Sequence, residues 1–169
     1  LANLLLDLGR PAEALESAQA ARSLRPEDPL VNANVGRALV RLDRPEEAVP
    51  YLRPALQANP GMHPLRDMLA QALLDSGRIE EGAAVFAEIE AQAADDFPLL
   101  QLMARFYHRA KRGYDAERCL VRMQQLNPTQ APVYADLAHL YSDFGEYGRA
   151  IEVARDGLRL QPDSTALLN

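Results

Sequence analysis

Residues 9–29 read GRPAEALESAQAARSLRPEDP, and residues 43–63 read DRPEEAVPYLRPALQANPGMH. Residues 145–165 read GEYGRAIEVARDGLRLQPDST. Each stretch opens on a turn, sets a small residue early in a helical run and stops at a proline. The small residue is Ala14, Ala48, Gly82, Ala116 and Ala150, with every step equal to 34 (48 − 14 = 34). The closing position is Pro26, Pro60, Ala94, Pro128 and Pro162 at the same interval. A second small series runs Ala2, Gly36, Ala70, Ala104 and Ala138, beside a large apolar series Leu5, Leu39, Leu73, Tyr107 and Tyr141. No insertion breaks the frame. A fixed period of this length is the mark of stacked supersecondary units, each burying its apolar face on its neighbours.

Each period holds two helices, A and B. Small residues let the pair approach closely, and the large apolar residues fill the space beside them. The closing proline stops helix B because it cannot donate to the preceding turn. Helix A restarts from Asp28-Pro29, His63-Pro64, Phe97-Pro98 and Ala131-Pro132, with proline in the first turn where its missing N–H costs nothing. This places A helices at about 1–8, 30–42, 64–76, 98–110 and 132–144, and B helices at about 11–24, 45–58, 79–92, 114–126 and 147–160. Pro50 and Pro54 fall inside the second B helix, four apart on one outward face, with a kink expected there. Gly82 and Ala94 depart from the pattern, so the third B helix is expected to run on or fray. The tyrosine of KRGYDA sits one place later than that of GEYGRA, which predicts an irregular fourth turn.

The 34-residue unit resembles the tetratricopeptide repeat, a helix-turn-helix module, over the whole chain. The resemblance implies an all-α fold: a right-handed α-α superhelix, or solenoid, of about five helix-turn-helix 34-residue repeats. One solenoid would span 1–169, with a partial repeat at 1–28, full repeats at 29–62, 63–96, 97–130 and 131–164, and the start of a further helix at 165–169. Neither end shows a polar capping helix, so Leu4, Leu8, Leu167 and Leu168 are expected to expose apolar surface. With no initiator methionine, the sequence reads as a piece of a longer protein.

The 169 residues carry a net charge of −6, which argues against a dedicated nucleic-acid binder. No apolar run approaches the roughly 18 residues that span a bilayer, and LANLLLDLGR has no basic n-region or cleavage pattern. The arginine-dominated basic set suggests a GC-rich bacterial source, with cytoplasm or periplasm left open. The sole cysteine, Cys119, lies on a B helix as an inert thiol. No metal-ligand motif, phosphate loop or nucleophile elbow appears, so neither a catalytic residue, a metal nor a cofactor is expected. Glu46-Glu47 and Glu80-Glu81 open B helices, where acids favour the helix dipole, and Asp95-Asp96 precedes Pro98 as a cap.

In this family, ligands lie against helix A. Numbering each full repeat from its first residue, the ligand face takes repeat positions 2, 5, 6, 9, 12 and 13. The groove residues this implies are Asn34, Arg37, Arg41, Gln71, Asp75, Arg105, His108, Arg109, His139 and Asp143. Position 13 alternates in sign through Asp7, Arg41, Asp75, Arg109 and Asp143, a pattern expected to give ion pairs between repeats. Asn3 and Asn34, 31 apart, match the asparagines of chaperone-binding members, but Pro64 and Met68 stand where that clamp needs basic residues. The same spacing joins Arg105 to Asp136 and His108 to His139. The leading expectation is a non-catalytic scaffold binding another protein or a peptide in its groove. The alternatives are a targeting or regulatory arm of a larger enzyme (glycosyltransferase, sulfotransferase or protease type) and self-association through the solenoid ends.

Overall fold

A computed structural model describes residues 1–89 and 95–168 of the chain. Among these, every regular element is an α-helix. The chain forms two compact units, Leu1–Glu88 and Ile89–Asn169.

The first unit contains α1 (Ala2–Asp7), α2 (Pro11–Leu24), α3 (Pro29–Arg41), α4 (Pro45–Ala58), α5 (His63–Asp75) and α6 (Ile79–Ala87). Its core is made of the expected series: Ala14 and Ala48 are fully buried, as are Leu52, Ala70 and Leu73, with Val35, Leu39 and Phe86 packed among them. Helix α4 runs unbroken through Pro50 and Pro54, and both rings face solvent. Helix α6 ends at Ala87, short of the expected 92, and the place of Ala94 lies outside the described residues.

The second unit contains α7 (Phe97–Arg109), α8 (Gly113–Leu126), α9 (Ala131–Asp143), α10 (Tyr147–Leu160) and the short α11 (Thr165–Leu168). Phe106, Tyr107, Met103, Leu120, Met123, Leu137 and Leu140 fill its interior, and Cys119 is buried with them. Asp96 caps α7 through Leu99 N–H at 3.0 Å, as Asp28 caps α3 through Leu30 N–H at 2.9 Å. Leu4 and Leu8 are exposed as expected, but Leu167 is buried. The reason is Gly157 on α10, where a Cβ would stand 2.8 Å from Tyr134 Cβ and about as close to Leu167, so its absence lets both pack.

All five A-to-B turns share one conformation. Gly9, Asp43, Gly77, Lys111 and Gly145 occupy the same place in the period and have φ of 71°, 57°, 73°, 59° and 78°. The N–H groups of Arg10, Arg44, Arg78, Arg112 and Glu146 bond back to the carbonyls of Leu5, Leu39, Leu73, Tyr107 and Tyr141 at 2.8–3.0 Å. This is the Schellman closure of a helix. The fourth turn is therefore regular in backbone, contrary to the expectation from KRGYDA. Its peculiarity is a lysine in a left-handed conformation that favours glycine.

The B-to-A junctions also repeat a bond. Asn32 donates to the Pro26 carbonyl at 3.1 Å, Arg66 to Pro60 at 2.8 Å and Tyr134 to Pro128 at 2.8 Å. The in-frame residues of the other two junctions are Leu100 and Leu168, residue types with no side-chain donor. Arg66 is the most deeply buried cation: it is 1% exposed and also donates to the Val85 carbonyl.

Candidate functional site

Within the first unit, the groove residues expected from the sequence are dispersed along α3 and α5. Asn34 and Arg37 are half-buried on α3, Gln71 is half-buried on α5, and Arg41 and Asp75 end those helices in solvent. Arg37 donates to Asn3 Oδ1 at 2.8 Å, linking α3 to α1. The Asn3 oxygen is thus taken by a residue 34 away, not shared with Asn34 at 31. Arg41 makes no ion pair with Asp7 or Asp75 among the described residues, so the alternating signs give no continuous ladder of ion pairs there. Asp7 and Arg41 are the last residues of their helices and are exposed.

Within the second unit, the expected residues converge. Arg105 and His108 on α7 and His139 on α9 line one cavity of about 330 Å3, together with Gln101, Leu120 and Asp136. The half-buried imidazole of His108 is bonded through Nε2 to Asp143 Oδ2 at 2.7 Å. Asp143 therefore takes a histidine one repeat earlier, 35 residues away. Asp136 lines the recess, where burial pushes its carboxyl upward and the neighbouring His139 and His108 work to lower it. Arg109 ends α7 in solvent. Gln101, Leu120 and Asp136 lie outside the set expected from the sequence; of these, the 31-residue spacing links Asp136 to Arg105. Among the described residues, no group of three or more His, Cys, Asp and Glu side chains could hold a metal ion. No described helix is long and apolar enough to cross a membrane.

A second cluster lies where the fourth and fifth turns face each other. Arg149 donates to Glu117 Oε1, to Glu146 Oε2 at 2.8 Å and to Tyr141 Oη at 2.7 Å, and its guanidinium lies 4.0 Å over the Tyr141 ring. Tyr141 in turn donates to Glu117 Oε1 at 2.9 Å. Burial works to raise the Glu117 carboxyl, but the bonds from Arg149 and Tyr141 outweigh it and hold Glu117 below the usual range. Burial, then the Glu117 carboxylate, push the Tyr141 phenol up to about 12.

Three tetratricopeptide-repeat family models match the chain, over residues 1–63, 43–106 and 131–164. Among curated proteins, the chain is similar to the interferon-induced protein with tetratricopeptide repeats 3 of Mus musculus, 27% identical over 133 residues. That match takes in 77% of this chain and 33% of the mouse protein, so the chain spans about a third of that relative's length. Among solved structures, PilW, a type IV pilus biogenesis factor, has a TM-score of 0.76 at 24% identity, covering 99% of this chain and 78% of PilW. MamA from Desulfovibrio magneticus RS-1 has a TM-score of 0.74 at 19% identity, with 97% and 93% covered. YrrB, described as a TPR protein with an unusual peptide-binding site, has a TM-score of 0.71 at 18% identity, with 99% and 86% covered. These structural likenesses establish the fold alone. The matches of the family models over 1–106 and 131–164, with the in-frame period, show that this chain belongs to the tetratricopeptide-repeat family.

Proposed function

We propose that this chain is a non-catalytic scaffold that binds a peptide segment of another protein against its A helices, with the α7–α9 cavity as the main contact. The tetratricopeptide-repeat fold is in general a protein–protein interaction scaffold; the groove and its residues are this reading's own. The observation that carries it is the convergence of Arg105, His108 and His139 on one cavity of about 330 Å3. These residues meet no structural demand of the repeat, whose core is filled by other positions. The cavity offers a cationic arginine, two imidazoles and the Asp136 carboxyl, which suits a polar, hydrogen-bonding side chain.

Selection of peptides from a random library against the whole chain, followed by retesting, examines the reading. Peptides should lose at least about tenfold in affinity on Arg105→Glu combined with His139→Ala, while the helical melt is kept. Selected peptides that bind the double variant as well as the parent would place the binding surface elsewhere.

A further inference from the structure

Six residues that depart from the 34-residue pattern collect at one place in the second unit. The residue that begins each B helix is Pro11, Pro45, Ile79, Gly113 and Tyr147, so Gly113 is the smallest of the series. The next position is Ala12, Glu46, Glu80, Tyr114 and Gly148, with one aromatic. Three residues further on, Leu15, Val49 and Ala83 are buried apolar side chains, but the fourth member is Glu117. The residue ending each A-helix turn is Leu8, Leu42, Ser76, Ala110 and Phe144, again with one aromatic. The first four B helices open with an Arg-to-acid pair: Arg10–Glu13, Arg44–Glu47, Arg78–Glu81 and Arg112–Asp115. In the fifth the polarity is reversed to Glu146–Arg149.

These departures fit one another. A Cβ on Gly113 would lie 2.9 Å from Phe144 Cε1, so the glycine admits the Phe144 ring across the start of α8. The reversed pair carries Glu146 to the cavity and swings Arg149 onto Glu117. Gly113, Tyr114, Glu117, Tyr141, Phe144 and Glu146 enclose a cavity of about 260 Å3, and none of them lines the α7–α9 cavity. The repeat fold does not need these choices, since the other turns close without them. Local rules broken together around a cavity mark a functional place.

We infer that this turn-edge cavity receives a basic side chain, arginine or lysine, of a protein partner. The charge tally is two carboxylates against one guanidinium, a net of −1 (−2 + 1) from Glu117, Glu146 and Arg149. Glu117 Oε2 and Glu146 Oε1 accept no hydrogen bond among the described residues, so each carboxylate keeps an open oxygen. The rings of Tyr114, 77% exposed, and Phe144, 40% exposed, present aromatic faces to a cation. Arg149 over Tyr141 is an internal precedent: the same walls already hold one guanidinium by stacking and carboxylate bonds. A second cation meets the same chemistry on the open side, in a place separate from the A-helix cavity. The inference does not rest on the proposed peptide groove.

The test uses the whole chain, labelled for NMR, titrated with acetyl-Gly-Arg-Gly-amide, acetyl-Gly-Lys-Gly-amide and, as a neutral control, acetyl-Gly-Gln-Gly-amide. The two basic peptides should give saturable shifts at the Gly113 amide and the Tyr114 and Phe144 rings, with Kd on the order of 1–10 mM. Glu146→Gln should weaken them about three- to tenfold and Tyr114→Ala about two- to fivefold, both at unchanged melting profile, since each side chain is exposed. Arg105→Glu in the other cavity should leave them unchanged. Equal shifts with the glutamine peptide, shifts that both variants leave intact, or no saturable shift up to about 50 mM would overturn the inference.

Discussion

Replacing Lys111 by glycine is expected to stabilise the chain. Lys111 holds φ at 59° in a turn whose closing bond, Arg112 N–H to Tyr107 O, is 2.8 Å. A non-glycine residue in that left-handed region costs about 1–2 kcal/mol. Glycine removes that cost but gives back about 0.5–1 kcal/mol through the greater freedom of the unfolded chain. The net gain is about 0.5–1 kcal/mol, which for a chain of this size raises Tm by about 1–4 °C. The exposed lysine has no side-chain hydrogen bond or ion pair among the described residues to lose. Asp43, at φ 57°, is the internal control: aspartate tolerates this conformation through local hydrogen bonds, so Asp43→Gly should gain less than Lys111→Gly. Gly77→Ala, at φ 73°, should lose about 1 kcal/mol. Thermal and urea melts followed by far-ultraviolet circular dichroism rank the three. A Lys111→Gly variant no more stable than the parent, beside an unharmed Gly77→Ala, would refute the common turn.

Four further outcomes follow from the packing and the bonds. Gly36→Ala puts a Cβ 2.6 Å from Cγ of the fully buried Leu52, so overpacking of about 1–3 kcal/mol should exceed the helix-propensity gain of about 1 kcal/mol and lower the urea midpoint. A raised midpoint would mean that Leu52 can turn aside. Tyr134→Phe removes the donor to the Pro128 carbonyl and should cost about 1 kcal/mol. Arg66→Met strips two buried carbonyls and should cost about 2 kcal/mol; a neutral result would show that the buried cation offsets its own bonds. Glu117→Gln should destabilise the second unit near pH 7. Because the folded carboxyl is held below its usual value of 4.5, the stability it adds is present above that value and lost as pH falls through the folded one. The gap between parent and variant melts should therefore close in acid, and a gap constant from pH 7 to 3 would count against the charged pair.

The period itself made most of the fold legible. Helices α2, α4 and α10 begin and end where the sequence placed them, even through Pro50 and Pro54, because an interval kept five times outweighs local propensity. What escaped were features that depend on shape between neighbours. The burial of Leu167 rests on the missing side chain of Gly157, a helix away, and nothing near Leu167 signals it. The regular fourth turn was hidden because the closing bond imposes the left-handed conformation, and lysine carries no mark of it. On the candidate site, spacing brought forward Arg105, His108 and His139. The choice of Asp143 as partner for His108 depends on how far each side chain reaches across two helix ends, which no fixed interval encodes. Glu117 was readable as an acid on a B helix, but its meaning came only with the reversed pair at Glu146 and Arg149.

That reversed pair also gives the repeats an order. Arg149 reaches Glu117 because the repeat bearing the swapped charges directly follows the one bearing the half-buried acid. Moved behind the third repeat by module shuffling, the fifth would present its arginine to Ala83, and Glu117 would lose both its cation and the Tyr141 hydroxyl. Modules that look interchangeable by length and core are thus keyed to their neighbours, and a permuted array would carry its mismatch at that one seam.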